Sequence, residues 1–160
     1  MATSLYDIDF AAWTRQQATE LRRLNDSRLN VPLDFALLAD EVEDLGSERK
    51  LAFESFLEVI IEHLLKLSHS PAVAPRKKWM ISIHAARRSA LRRMTGSLRR
   101  EAAEDLDKLF EGARSAVVFS MRLYGEIEAI DTLPTSNPYT LDQLLDTDWW
   151  PDNTMDVDRQ

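Results

Sequence analysis

Cysteine is absent from the 160 residues. That excludes disulfides, thiolate metal sites and cysteine nucleophiles. Glycine and proline are scarce, at four and six, and a chain with so few breakers and many Leu, Ala, Glu and Arg reads as helix. No apolar run approaches the roughly 18 residues that span a bilayer, so no membrane partner is expected. The N-terminal MATSLYDIDF has neither a basic start nor an apolar core, so no signal peptide is expected and the cytoplasm is the default location. Sustained strand-like alternation is missing, as is any fixed-period repeat. One further absence is local: no acidic residue falls between His63 and Arg100, although the chain holds 27. Ten of the 20 Lys and Arg residues and all three histidines lie there. The segment therefore carries +10 and the remainder −17, for a net −7. This acidic balance opposes general adhesion to nucleic acid while leaving a local basic face able to bind it.

What is present suits a globular protein: 44% hydrophobic and 29% charged residues, in a length that buries a sizeable core. The reading is an all-α bundle of three to four main helices plus a short C-terminal helix. Residues 1–151 are expected to form a single helical domain, with a polar, disordered tail over 152–160. A first helix begins near Asp7 or Asp9, either suited to capping, with Tyr6, Phe10, Trp13, Gln17, Leu21 and Leu24 on one face. A second runs from about Leu33 to Ser68 on the stripe Phe35, Leu38, Val42, Leu45, Phe53, Phe56, Ile60, Leu64 and Leu67. Gly46 inside it marks a tolerated glycine, a kink or close approach of a neighbour. A third spans about Arg76 to Met94, and a fourth Ser97 to Tyr124 with Ser97 as its cap. Thr140-x-x-Gln143 is a capping box opening a short helix through Leu145.

Several blocks carry a resemblance. Tyr6-Asp7-Ile8-Asp9-Phe10 with Trp13, Gln17-Ala18 and Leu21-Arg22 resembles the N-terminal signature of the bacterial domain of unknown function family twenty-nine. Leu38-Ala39-Asp40-Glu41-Val42-Glu43-Asp44-Leu45-Gly46 is similar to its LxEEIEDLG block, and His63-Leu64-Leu65-Lys66 to its HLLK block. Trp79-x-x-Ser82-Ile83 with Arg87, and Pro138-Tyr139-Thr140-Leu141-Asp142-Gln143-Leu144-Leu145, match two more in order. Departures fall at Leu67, Ala86 and Thr95-Gly96, where the family often has Trp, Gln and Ser-Pro. The resemblance implies a helical bacterial domain and supplies no catalytic residues.

The candidate chemistry is sparse. In the acidic block Asp40–Asp44, spacings of three and four residues share a helical face and could offer oxygen ligands to a hard cation, or form a solvated acidic face. Arg87 sits inside the third helix's apolar stripe and needs a partner. Glu41, Asp44 and Glu20 are the expected carboxylates. Gln17, Glu20, Glu41, Asp44, His63 and Arg87 are thus read as a buried polar network, His63 being a satisfied core histidine. Lys77, Arg88, Arg92 and Arg99 form a basic face able to track phosphates or to offset the protein's own acidic helices. Trp149 and Trp150 offer a partner anchor or a clamp for the C-terminal helix. No catalytic residue, metal site or cofactor is assigned. The favoured expectation is a non-enzymatic binding or adaptor domain with a protein partner. The alternatives are a nucleic-acid-associated protein using residues 76–100 and a metal-dependent enzyme using 40–44. Monomer and homodimer stay equally open.

Overall fold

The computed structural model describes residues 3–152; the expected disordered tail, apart from Asp152, lies outside them. The described residues are all-α, with no strand among them. The elements are α1 (Leu5–Ile8), α2 (Phe10–Asp26), α3 (Phe35–His69), α4 (Arg76–Arg93), α5 (Gly96–Glu104), α6 (Leu106–Leu123), α7 (Ile127–Ile130) and α8 (Leu141–Leu145). They fall into two compact units, Met1–Phe53 with Met94–Glu101 and Glu54–Arg93 with Ala102–Gln160. α3 is continuous through Gly46, so the chain does not fold back there.

The first unit is organised by Asp9. Its carboxylate accepts from the backbone N–H of Ala12 at 3.0 Å, capping α2. The same carboxylate accepts from the N–H and the hydroxyl of Ser97, each at 2.7 Å, in the first turn of α5. One side chain thereby satisfies donors at two helix starts, which otherwise lack intrahelical partners. Ser97 is therefore a donor to Asp9 rather than the cap expected from sequence; α5 begins one residue earlier, at Gly96. Burial works against the Asp9 carboxylate's charge, but the hydrogen bonds from Ser97, Ala12 and Thr95 outweigh it and hold the group below its ordinary range.

The α2 and α3 faces also differ from expectation. α2 buries Ala11, Thr14 and Ala18 rather than its large residues. Phe10 and Trp13 are half-buried and form an aromatic cluster with Tyr6, at centroid distances of 5.0 to 5.6 Å. On α3 the buried line in this unit runs through Phe35, Ala39, Gly46 and Phe53, while Leu38 and Leu45 are exposed. Small residues win because the helices approach closely: a Cβ on Gly46 would strike Thr14 Oγ1 and lie 3.2 Å from Thr14 Cβ. Thr14 in turn donates its hydroxyl to Ala11 O at 2.9 Å.

In the second unit, Leu57, Ile60, Ile61, Leu64 and Leu65 of α3 are fully buried, as are Ile83 and Ala90 of α4 and Val117 of α6. The expected fourth helix is two helices. At Asp105 the backbone leaves helical geometry (φ −89°, ψ 3°), dividing α5 from α6. α6 ends where Gly125 takes φ 75°, a left-handed value that glycine adopts without a Cβ penalty. The N–H of Glu126 then reaches Met121 O at 2.8 Å and that of Gly125 reaches Arg122 O at 3.2 Å, the two bonds of a Schellman motif. α8 opens on the expected Thr140–Gln143 capping box.

Two stability tests follow from the first unit. Asp9→Ala removes caps from two helices and is expected to cost roughly 2 kcal/mol at neutral pH, measured by urea unfolding. Because folding lowers the Asp9 pKa, its contribution is present above the unfolded carboxylate pKa and lost as pH falls through the folded value. Asp9→Asn should accordingly flatten the acid limb of the stability profile; an unchanged limb refutes the assignment. Gly46→Ala should lower Tm despite the roughly 1 kcal/mol that alanine gains over glycine in a helix, and adding Thr14→Ala should restore it.

Candidate functional site

Arg87 is the largest fully buried side chain, at 0% exposure. α4 presents it on the same side as buried Ile83, Ala86 and Ala90. Its partners are carbonyls: Nε donates to Leu144 O at 2.9 Å, Nη1 to Trp149 O at 2.8 Å and Nη2 to Gln143 O at 3.1 Å. Gln143 and Leu144 lie in the last turn of α8, where carbonyls have lost their intrahelical donors, so a cation is favourable there. The guanidinium also faces the Trp150 ring at 5.0 Å, a cation–π contact. Burial pulls the Arg87 pKa below its usual value, with the charge of Asp146 acting the other way.

The rest of the C-terminal segment is held alongside. Tyr139 meets Trp149 edge-on at 6.2 Å. Burial pushes its phenol up to about 12, with a hydrogen bond to Ser68 opposing. Asn137 closes the preceding turn through both its amide atoms on Tyr139. Trp149 and Trp150 are half-buried and touch Tyr139 and Arg87, the contacts that a clamp on the C-terminal segment would make.

The expected polar network is not assembled as read from sequence. Glu20, Glu41 and Asp44 are exposed and Gln17 is half-buried. They are not the partners of Arg87. Glu20 instead pairs with Arg23 at 2.8 Å. His63 is half-buried, its Nδ1 2.9 Å from Val59 O one turn earlier. The acidic block divides around its helix: Asp40 and Glu43 pair with Arg22 at 3.0 and 2.6 Å, leaving Glu41 and Asp44 on the solvent side. No group of three or more His, Asp or Glu side chains placed to hold a metal occurs among the described residues.

Lys77, Arg88 and Arg92 are exposed on α4 and Arg99 is half-buried. Arg99 Nη1 lies 3.8 Å from Met94 Sδ. Among the described residues Arg88 and Arg92 meet no carboxylate, so the expected internal neutralisation does not reach them.

Sequence reasoning missed a cavity. In the second unit, about 390 Å³ is lined by Lys66, Ser70, Ala72, Pro75, Trp79, Ser120, Met121, Tyr124 and Glu126. Trp79, Met121 and Pro75 supply apolar wall. Ser70 Oγ donates to Glu126 Oε1 at 3.0 Å and accepts from Ala72 N–H at 3.1 Å, tying the loop after α3 to the segment after α6. Lys66 Nζ is engaged by Glu62 at 2.6 Å. Tyr124 is 77% exposed, and Val73, Leu123 and Ile127, each next to a lining residue in the chain, are also exposed. The only local signal in sequence was Gly125, whose turn brings Glu126 to the cavity.

Fold and site define an all-helical protein whose largest fully buried side chain, Arg87, fastens α4 to α8 and the residues after it. The chain belongs to the family described as "Domain of unknown function DUF29", which matches residues 5–150. It is similar to the crystal structure of an alpha-helical protein of unknown function from Rhodospirillum rubrum. That likeness has 25% identity and a TM-score of 0.75 over 99% of this chain and 98% of that one. No functionally curated protein matches the sequence.

Arg87→Met keeps volume but leaves three carbonyls, that of Leu144 in a buried bond, without their donor. An expected loss of about 3 kcal/mol or more should come with a red-shifted tryptophan emission as Trp149 and Trp150 enter water. Arg87→Lys, which cannot span three acceptors in a fork, should fall between. Wild-type emission in Arg87→Met would refute the clamp.

Proposed function

We propose that the chain is a protein-binding domain of adaptor type, acting by binding rather than catalysis. The observation that carries this reading is the cavity walled by Trp79, Met121 and Tyr124 and bordered along the chain by Val73, Leu123 and Ile127. Its volume is at the small end of binding pockets, roughly 300–1,000 Å³, and suits one large apolar side chain of a partner. Large apolar residues exposed beside a pocket are costly in water and mark interaction surfaces. Aromatic walls around a water-excluding centre are the usual composition of an anchor pocket. Ser120 and the second carboxylate oxygen of Glu126 at the same site could take up a partner's main chain.

The test is affinity capture from native-host extract, divided into nuclease-treated and untreated halves. A stoichiometric protein partner should survive nuclease and be lost with Ser120→Trp, which fills the cavity, and with Tyr124→Ala, which opens its wall. Truncating such an anchor is expected to cost about 2 kcal/mol of binding, with helical circular dichroism unchanged. A partner indifferent to both variants, or one that vanishes with nuclease, refutes the reading.

A further inference from the structure

Two exposed helix faces carry opposite charge on matching spacing. On α3, Leu37, Glu41, Asp44, Glu48 and Leu51 recur at intervals of four, three, four and three, and all are exposed. Leu38 and Leu45 flank this line and are also exposed. On α4, Lys77, Ile81, His84, Arg88 and Leu91 recur at the same intervals and are likewise exposed, with Arg92 beside them. That interval is the seam of helices that pair side by side. Each line covers about 21 Å of helix.

Neither face is explained by its own unit. Leu51 is 65% exposed and Ile81 68%, so both lines present large apolar side chains to water between their charges. Glu41, Asp44 and Glu48 meet no cation, and Arg88 and Arg92 no carboxylate, among the described residues. The neighbouring acids Asp40 and Glu43 are engaged by Arg22, and the neighbouring Arg93 lies over the Phe56 ring at 5.3 Å.

We propose that the acidic, leucine-bearing face of α3 in one copy docks on the basic face of α4 in a second copy. The occupant is argued from charge: both members of the complementary pair lie on this chain. Laid side by side in either direction, the lines place a leucine opposite Leu91, a glutamate opposite Arg88 and Asp44 opposite His84. The apolar contacts supply burial and the charges supply register and specificity. A nucleic acid would use the arginines but leave Leu91 unpartnered and gain nothing from the α3 face. This inference is independent of the cavity, because Trp79 lies on the side of α4 opposite Ile81 and Arg88.

Sedimentation velocity of the purified full chain tests it, using Arg88→Glu/Arg92→Glu, Glu41→Arg/Glu48→Arg and their mixture. Wild type should self-associate near 0.1 M salt, where screening reaches about 10 Å, and weaken near 1 M, where it reaches about 3 Å. Each double variant, with unchanged helical circular dichroism, should associate more weakly, by up to about thirtyfold. The equimolar mixture should recover association, because the unaltered face of each variant meets the unaltered complement on the other. Three outcomes overturn the proposal: a wild type monomeric at low salt, association indifferent to both reversals, or a mixture that stays monomeric. Association that requires nucleic acid and disappears with nuclease overturns it as well and assigns the α4 face to a polyanion.

Discussion

A charged group placed in a protein interior without a carboxylate must be satisfied by dipoles, and Arg87 imposes that constraint on the second unit. Its three nitrogens reach carbonyls on Gln143, Leu144 and Trp149, so the residues from α8 onward must return to α4 whenever the guanidinium is buried. The arrangement is reciprocal. The Gln143 and Leu144 carbonyls, in the last turn of α8, gain a cation at the helix's negative end, while the cation gains acceptors that no hydrophobic side chain could offer. Trp150 completes the enclosure with its ring face. Planarity suits arginine to this role, since one fork addresses acceptors from three residues.

Asp9 solves the converse problem in the first unit. There the orphan groups are donors, at the starts of α2 and α5, and the satisfying group is an anion. Each unit thus has a buried ionised side chain at helix ends whose charge matches the local backbone dipole. Neither depends on an ion pair, and both avoid the cost of burying two opposite charges together.

The difference between these two residues also governs what could be read from sequence. Asp9 was legible as an N-cap, and Thr140–Gln143 as a capping box, because caps are local and their partners lie within three residues. Helical periodicity likewise placed α2, α3 and α4 and the all-α class. The demand that Arg87 be paired was legible from its place on an apolar stripe. Its partners were not, because a carbonyl belongs to every residue and carries no sequence signal, whereas the carboxylates of Glu20, Glu41 and Asp44 do. The stripe of α3 was misplaced for a related reason. Hydrophobicity favoured Leu38 and Leu45 for the interior, but close approach of Thr14 to Gly46 puts the smallest residues on the inside and turns the leucines, with Glu41 between them, outward. The division at Asp105 has neither glycine nor proline to announce it, and the cavity is made by residues distant in sequence.

The charge segregation gains meaning from where pairing stops. A chain that carried ten cations without an acid between His63 and Arg100 could have neutralised them internally. Instead, the described ion pairs lie largely apart from that segment: Arg15 with Glu101, Arg22 with Asp40 and Glu43, and Arg23 with Glu20. Within it, Lys66 is bound to Glu62. Exposed pairs add little stability, so folding alone puts little pressure on a sequence to sort its charges. Sorting does change which surfaces attract and which repel at a distance. Outward-facing leucines on the acidic helix and outward-facing Ile81 and Leu91 on the basic one lower solubility unless they are covered. Their coincidence with unpaired charges of opposite sign places the apolar burial and the steering field on the same two faces. The proposed docking of α3 on α4 draws on that combination.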